Sequence, residues 1–282
     1  MKIINNIKEI RKQVEDWKND GLSVALVPTM GYLHEGHESL IKKASEDNDK
    51  VIVSIFVNPM QFGINEDLST YPRNIDRDSD ICEKNGASLI FNPSVEEMYI
   101  DGFSTFVDLN NLTSGLCGKS RPTHFRGVCT VVSKLFNIVN PDKAYFGQKD
   151  AQQLSIIKQM VTDLNFDIEI VSCPIVREAD GLAKSSRNTY LSKEERQAST
   201  IINKSLKKAK ALIKSGERDS KNVIDFIKNE ISKEPLAKID YVSIVDNNTI
   251  KNTKTIEDGS LIAVAVFIGN TRLIDNLIFQ VV

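Results

Sequence analysis

A doubly wound parallel α/β sheet followed by a smaller α+β unit is the fold the sequence predicts, and three observations carry that expectation. Short runs that are apolar throughout alternate with helical stretches as far as Pro174, the pattern of strands buried on both faces of a parallel sheet. Polar and glycine-containing segments sit where several of those runs hand over to a helix. Beyond Pro174 two helical stretches precede three strand-like runs, and the charge shifts too. From Val176 onward 18 Lys/Arg stand against 14 Asp/Glu, whereas the preceding residues hold 18 against 24. A domain boundary near residue 175 follows, giving 1–175 and 176–282.

Each element has its own reason. Ile7, Ile10, Val14 and Trp17 recur at helical spacing, with Asn5 or Asn6 to cap and Gly21 to stop. Residues 24–27 form a short apolar strand. A turn with Pro28 and Gly31 then leads to a helix through Leu40, Ile41 and Ala44. Residues 51–57 are a second buried strand. The rhythm continues with helix 75–86, strand 88–91, helix 127–139, strand 144–146, helix 149–164 and strand 166–171. In the second unit, helices are expected over 193–214 and 220–233, and strands over 239–245, 261–267 and 273–279.

Composition narrows the class of function. The 282 residues are 41% hydrophobic and 26% charged, so disordered and collagen-like chains are excluded. A formal net charge of -2 gives no basic coat for nucleic acid or for a membrane surface. Cys82, Cys117, Cys129 and Cys173 form no C-x-x-C pair, so a disulfide framework or structural zinc is not expected and a reducing compartment is. The start runs at once into charged residues with no signal-peptide core. The longest apolar run, 261–268, falls far short of the roughly 20 residues that span a bilayer. A cytoplasmic protein is expected.

The chemistry-bearing residues cluster at the handovers. In 28–37, Pro-Thr-Met-Gly-Tyr-Leu-His-Glu-Gly-His, two of the three histidines fall within four residues around Gly36. A helix starting there offers N–H groups and a positive dipole end to a phosphate, and the imidazoles can donate to phosphoryl oxygens. A pair of surface histidines is the plainer alternative. Gly31 and Gly36 have Walker-A spacing, but His37 and Glu38 stand where Lys and Ser or Thr belong. Asn58 to Phe62 ends the second strand with amides suited to hydroxyls or carboxylates, or else is only a turn. Gly147-Gln148-Lys149-Asp150 again joins strand to helix. Lys149 suits a phosphate, Asp150 a helix cap, a metal ion or a ribose hydroxyl, and Gln153 shares the face of Asp150. Lys184-Ser185-Ser186-Arg187 sets two cations around two hydroxyls, an arrangement that can wrap a polyphosphate. Residues 63–78, rich in polar side chains such as Asn65, Glu66 and Asp67, are expected to be a mobile cover over the site.

Taken together these segments carry a resemblance. His34-x-Gly36-His37 with a later basic Lys-Ser-Ser-Arg segment resembles the nucleotidyltransferase superfamily shared with class I aminoacyl-tRNA synthetases, whose fold is Rossmann-like. Six segments narrow it. They are Pro28 to His37, Val57 to Phe62, Tyr71-Pro72-Arg73, His124 to Val128, Phe146 to Asp150 with Gln152-Gln153, and Ser185 to Asn188. As a set they closely resemble the pantoate–β-alanine ligase family, from the first strand to the end of the chain. The family segment that usually reads Met-Ser-Ser-Arg-Asn has Lys184 in place of the methionine here.

The resemblance implies an ATP-dependent ligase that condenses (R)-pantoate with β-alanine through a pantoyl adenylate, releasing AMP and pyrophosphate. Another H-x-G-H nucleotidyltransferase, such as a cofactor adenylyltransferase, is the alternative. By resemblance, ATP contacts fall on Met30, Gly31, Tyr32, Leu33, His34, Glu35, Gly36 and His37, on Gly147, Gln148, Lys149 and Asp150, and on Val176, Lys184, Ser185, Ser186 and Arg187. His37, matching the family's proton donor, His34, Lys149 and Arg187 are the candidate catalytic groups. Gln61 and Gln153 match pantoate contacts, and Gln61 the β-alanine contact as well. The resemblance further implies nucleotide and pantoate binding in 1–175, a 176–282 domain closing over the ATP site, Mg2+ accompanying ATP with no protein metal ligands assigned, and a homodimer.

Overall fold

The computed structural model describes residues 1–64 and 66–280, so Asn65 of the expected cover lies outside the described residues. The chain divides into two compact units. The first comprises Met1–Asn110, Arg121–Gln148 and Ile156–Pro174, and the second Asn111–Ser120, Lys149–Ser155 and Ile175–Val282.

In chain order the elements are β1 (Lys2–Ile4), α1 (Ile7–Asn19), β2 (Val24–Thr29), α2 (Glu35–Asp47), β3 (Lys50–Ile55), α3 (Ile75–Lys84), β4 (Leu89–Phe91), α4 (Val95–Met98), α5 (Leu116–Ser120), α6 (His124–Val139), β5 (Lys143–Gly147), α7 (Ala151–Asp163) and β6 (Glu169–Cys173). The first unit is built on a six-stranded, wholly parallel sheet of order β1-β4-β3-β2-β5-β6. Successive residues of β2 and β3 face opposite sides, and both sides are covered. Ala25, Val27, Val51, Val53 and Ile55 pack with Leu40, Ile41 and Ala44 of α2, while α1 and α6 pack near β2 from elsewhere. That is why these strands read as unbroken apolar runs. Burying a side chain such as Ile41, fully enclosed, stabilises by about 2–3 kcal/mol.

The sequence expectation holds for this alternation, with refinements at its boundaries: β3 ends two residues early, at Ile55, and β6 starts three residues late, at Glu169. The edge strand β1 went unseen because three residues are too few for a period; its register against β4 (Lys2 opposite Leu89) comes from a distant partner. β2 runs two residues past the expected end, through Pro28 to Thr29. The Thr29 carbonyl accepts from Phe56 N on the β3 side. The N–H that proline lacks therefore faces β5, where pairing has already ended at Leu26. α6 starts three residues early, at His124.

The second unit continues with α8 (Lys193–Ala198), α9 (Thr200–Lys214), α10 (Ser220–Ile231), β7 (Ala237–Asp246), β8 (Ser260–Ile268) and β9 (Thr271–Ile278). The strands form an antiparallel sheet in chain order. Ile202, Leu206, Ile213, Val223, Ile227, Ile244, Ile262 and Val264 join in one core with the helices. The single helix expected over 193–214 is interrupted at buried Ser199, whose hydroxyl donates to the Arg196 carbonyl and competes with the helical ladder. No helix among the described residues is long and apolar enough to cross a membrane. All four cysteines are free thiols, and all are buried.

Candidate active site

Topology places the first group of residues. β3, β2 and β5 are parallel neighbours, and the strand order reverses direction between β2 and β5. In an open parallel sheet, the crevice at the carboxyl ends beside such a reversal is where ligands bind. The ends of these three strands carry Met30 to His37, Asn58 to Gln61, and Gly147 with Gln148. Three segments far apart in the chain thus meet at one sheet edge.

The turn from β2 into α2 has an unusual backbone. Gly31 (φ 83°) and Tyr32 (φ 50°) both adopt left-handed conformations. A Cβ on Gly31 would lie 2.9 Å from Ile55 Cγ2, so both its φ and its neighbours demand glycine. His34 caps α2: its Nδ1 accepts from Gly36 N at 3.1 Å, and His37 Nδ1 accepts from His34 N at 3.3 Å. The two rings lie against each other, tilted by 33° with centroids 4.1 Å apart. With both Nδ1 atoms accepting, each neutral ring carries its proton on Nε2. The histidines therefore build the helix start as well as standing at it.

Gln61 closes a short 3-10 turn, Pro59–Gln61, and is buried. Its Oε1 accepts from Asn58 Nδ2 (3.1 Å) and its Nε2 lies 3.0 Å from Met30 Sδ. Asn58 is fixed in turn by Tyr99 OH, 2.8 Å from its Oδ1, and by the Gly127 carbonyl, 3.0 Å from its Nδ2. The Gln61 carbonyl meets His124 Nδ1 at 2.9 Å and Arg121 Nη2 at 3.3 Å. Arg121 forms a two-pronged pair with Glu66, at 2.6 and 2.5 Å. Burial works against the Glu66 charge, but the guanidinium outweighs it and holds the carboxyl below its ordinary value. Part of the segment expected as cover is thus tied down by this pair, and its last residues, 75–78, are the first turn of α3.

In the second unit, Lys149 and Asp150 follow Gln148 in a 3-10 turn that runs into α7, and the Lys149 carbonyl accepts from Asn276 Nδ2 at 2.9 Å. Gln152 is structural: its Oε1 accepts from Cys117 N, and its Nε2 donates to the Leu112 and Gly115 carbonyls. Gln153 beside it is only partly buried. Val176 and Lys184 sit side by side, with the Val176 carbonyl accepting from Lys184 N at 3.0 Å. Ser185 caps the 3-10 turn Ser186–Tyr190 through its hydroxyl, which accepts from Arg187 N. Arg177 pairs with buried Asp275 at 2.7 and 2.9 Å, and Arg196 with Glu178 and Asp180. These pairs brace the loop bearing Lys184 to Arg187.

Two residues escaped the sequence reading. Asp78 is one of three alternating acidic residues on α3, and only the helix face it occupies distinguishes it from Asp76 and Asp80. Arg121 carries no signal beyond standing three places before His124.

The comparisons with known proteins decide the family. The family model described as pantoate-beta-alanine ligase matches residues 2–278. The chain belongs to the pantoate–β-alanine ligase family. It is 62% identical to the pantothenate synthetase of Enterococcus faecalis over 280 residues, covering 99% of both chains. It is 59% identical to that of Clostridium acetobutylicum, covering 100% of both. Among solved structures, pantothenate synthetase from Thermus thermophilus matches with a TM-score of 0.94 at 40% identity, covering 100% of both chains. Pantoate-beta-alanine ligase from Francisella tularensis, complexed with beta-gamma ATP and beta-alanine, matches with a TM-score of 0.81 at 35% identity, covering 99% of this chain and 97% of that one. The cofactor-adenylyltransferase alternative is set aside by these matches. The ligase family's reaction is the ATP-driven joining of pantoate to β-alanine.

Proposed function

We propose that the chain carries out this condensation in two half-reactions and that the residues collected above divide the work. A carboxylate at neutral pH is a poor acyl donor. A pantoate carboxylate oxygen attacks the α-phosphorus of ATP, the bond to the bridging oxygen breaks, and pyrophosphate leaves. The β-alanine amine then attacks the acyl carbon, the acyl–oxygen bond breaks, AMP departs with that oxygen, and the nitrogen loses a proton. Positioning and charge stabilisation supply most of the rate.

The observation that carries this reading is the meeting of three strand ends at the point where the sheet order reverses, with two histidines opening α2 there. In our reading Met30 to His37, with Gly147 and Gln148, receive ATP. The α2 N-terminus and the Nε2 protons of His34 and His37 stabilise charge on the phosphoryl oxygens and the leaving pyrophosphate. Lys149, Asp150, Val176, Lys184, Ser185, Ser186 and Arg187 supply the remaining nucleotide contacts, Lys149 and Arg187 as cations. Gln61, pinned by Asn58, orients pantoate and β-alanine, and Gln153 is the second pantoate contact. The ATP and β-alanine named in the Francisella tularensis structure support the same substrates here.

Mg2+ is expected to arrive with ATP. With ATP it would take oxygen ligands from the phosphates and from water. A homodimer and a cytoplasmic location complete the proposal. Mass spectrometry of products from ATP, pantoate and β-alanine tests it. Pantothenate and AMP should appear together, and AMP formed without pantothenate would refute it.

A further inference from the structure

The turn that presents His34 and His37 cannot hold its shape by itself. Tyr32 is an aromatic L-residue at φ 50°, a conformation that such residues keep only when their surroundings impose it. The imposing group is on α3. Asp78 Oδ2 accepts from Tyr32 N at 2.7 Å, and Asp78 Oδ1 accepts from Leu33 N at 2.8 Å. Both oxygens of the carboxyl are thus spent as acceptors on successive backbone N–H groups of the turn. The side chain is 1% exposed. Burial raises its pKa above the ordinary carboxylate value, and the Leu33 and Tyr32 N–H groups and the neighbouring Arg77 offset that only in part. Arg77 adds a second grip, its guanidinium lying 5.0 Å from the centre of the Tyr32 ring. Gly31 lets the clamp close, because a Cβ there would stand 3.1 Å from Asp78 Oδ2. A buried carboxylate is costly unless it is well bonded, and none of the chemistry above uses this one.

We propose that Asp78 is a positioning residue for adenylate formation: by clamping the backbone of Tyr32 and Leu33 it fixes the direction in which α2 and the His34 and His37 rings meet the triphosphate. This rests on the reading of that turn as the nucleotide-binding element. Asp78→Asn keeps the shape but replaces one acceptor by an NH2 group facing a backbone N–H. Pyrophosphate release from ATP and pantoate should fall about 10–100-fold, the usual effect of losing a group that orients a reacting one. Reaction of supplied pantoyl adenylate with β-alanine should change by no more than roughly threefold, because no triphosphate is involved in that step. Wild-type release rates in Asp78→Asn, or an equal fall in both half-reactions with the fold intact by circular dichroism, would overturn the proposal. If the variant does not fold, single-residue hydrogen exchange in the wild-type protein decides. Slow exchange of the Tyr32 and Leu33 amides supports the clamp, and exchange as fast as in an open loop refutes it. Should wild-type protein release no pyrophosphate, the functional reading falls by itself, and the same two amides still decide the clamp.

Discussion

Replacing Gly127 by alanine sets helix propensity against tertiary packing with opposite signs. Gly127 lies inside α6, where alanine is normally worth about 1 kcal/mol in favour of the helix. A Cβ at that position, however, would stand 2.3 Å from the Met60 carbonyl oxygen and 2.6 Å from Gln61 N. Ordinary contact begins near 3.4 Å, so the Met60–Gln61 peptide must retreat by about 1 Å or α6 must shift as far. Forcing one extra carbon into a packed site costs about 1–3 kcal/mol, so the net effect should be destabilising despite the helix gain. The same retreat moves Gln61 and stretches the bond from Asn58 Nδ2 to the Gly127 carbonyl. A displacement near 1 Å can cost on the order of a hundredfold in rate. We therefore expect Gly127→Ala to lower kcat/KM for pantoate by about that factor, with the ATP Kd within roughly a factor of two, since Gly127 has no part in the His34 turn. Steady-state kinetics with calorimetric ATP binding measures both, and chemical denaturation measures stability. A variant more stable than wild type with unchanged pantoate kinetics would show that the close approach does not constrain Gln61.

Gln61→Ala should cost roughly 1–3 kcal/mol in pantoate use, the penalty for leaving polar groups unpaired; loss of ATP affinity with pantoate affinity retained would contradict the assignment. His37→Ala and Lys149→Ala should each slow adenylate formation about 10²–10³-fold and affect the supplied pantoyl adenylate far less, so equal slowing in both assays would count against their roles. Glu66→Gln should remove on the order of 1–2 kcal/mol of stability in a pH-dependent way. Because Arg121 holds the Glu66 pKa down in the fold, its contribution is present above the ordinary Glu value near 4.3 and is lost as pH falls through the lower folded value. Urea unfolding across the acid range up to neutral pH should show the wild-type advantage shrinking at the acid end, and a gap independent of pH would refute that account. Residues 63–74 are proposed to cover the site when ATP and pantoate bind, which predicts slower hydrogen exchange there, and unchanged exchange would rule out the cover.

Much was legible in the sequence because it is local. The apolar runs of β2 and β3, the cap expected at Asn5 or Asn6 and found at Asn6, and the helical spacing in α1 depend on neighbours a few residues away. The glycines, histidines and amides at the strand-to-helix handovers were visible too, because their positions follow from the strand and helix patterns on either side. What needed the tertiary structure were partners that the chain brings from afar. β1 becomes a strand only because β4 is there to pair with it. Gly127 is a glycine because the Met60–Gln61 peptide lies against it, although its own helix would favour alanine. Asp78 looks like any exposed helical aspartate until α3 packs and its carboxylate meets the Tyr32 and Leu33 amides, 46 and 45 positions away. Sequence patterns report the period and polarity of a segment; which buried donor an acceptor satisfies is set by the packing of elements that share no local signal.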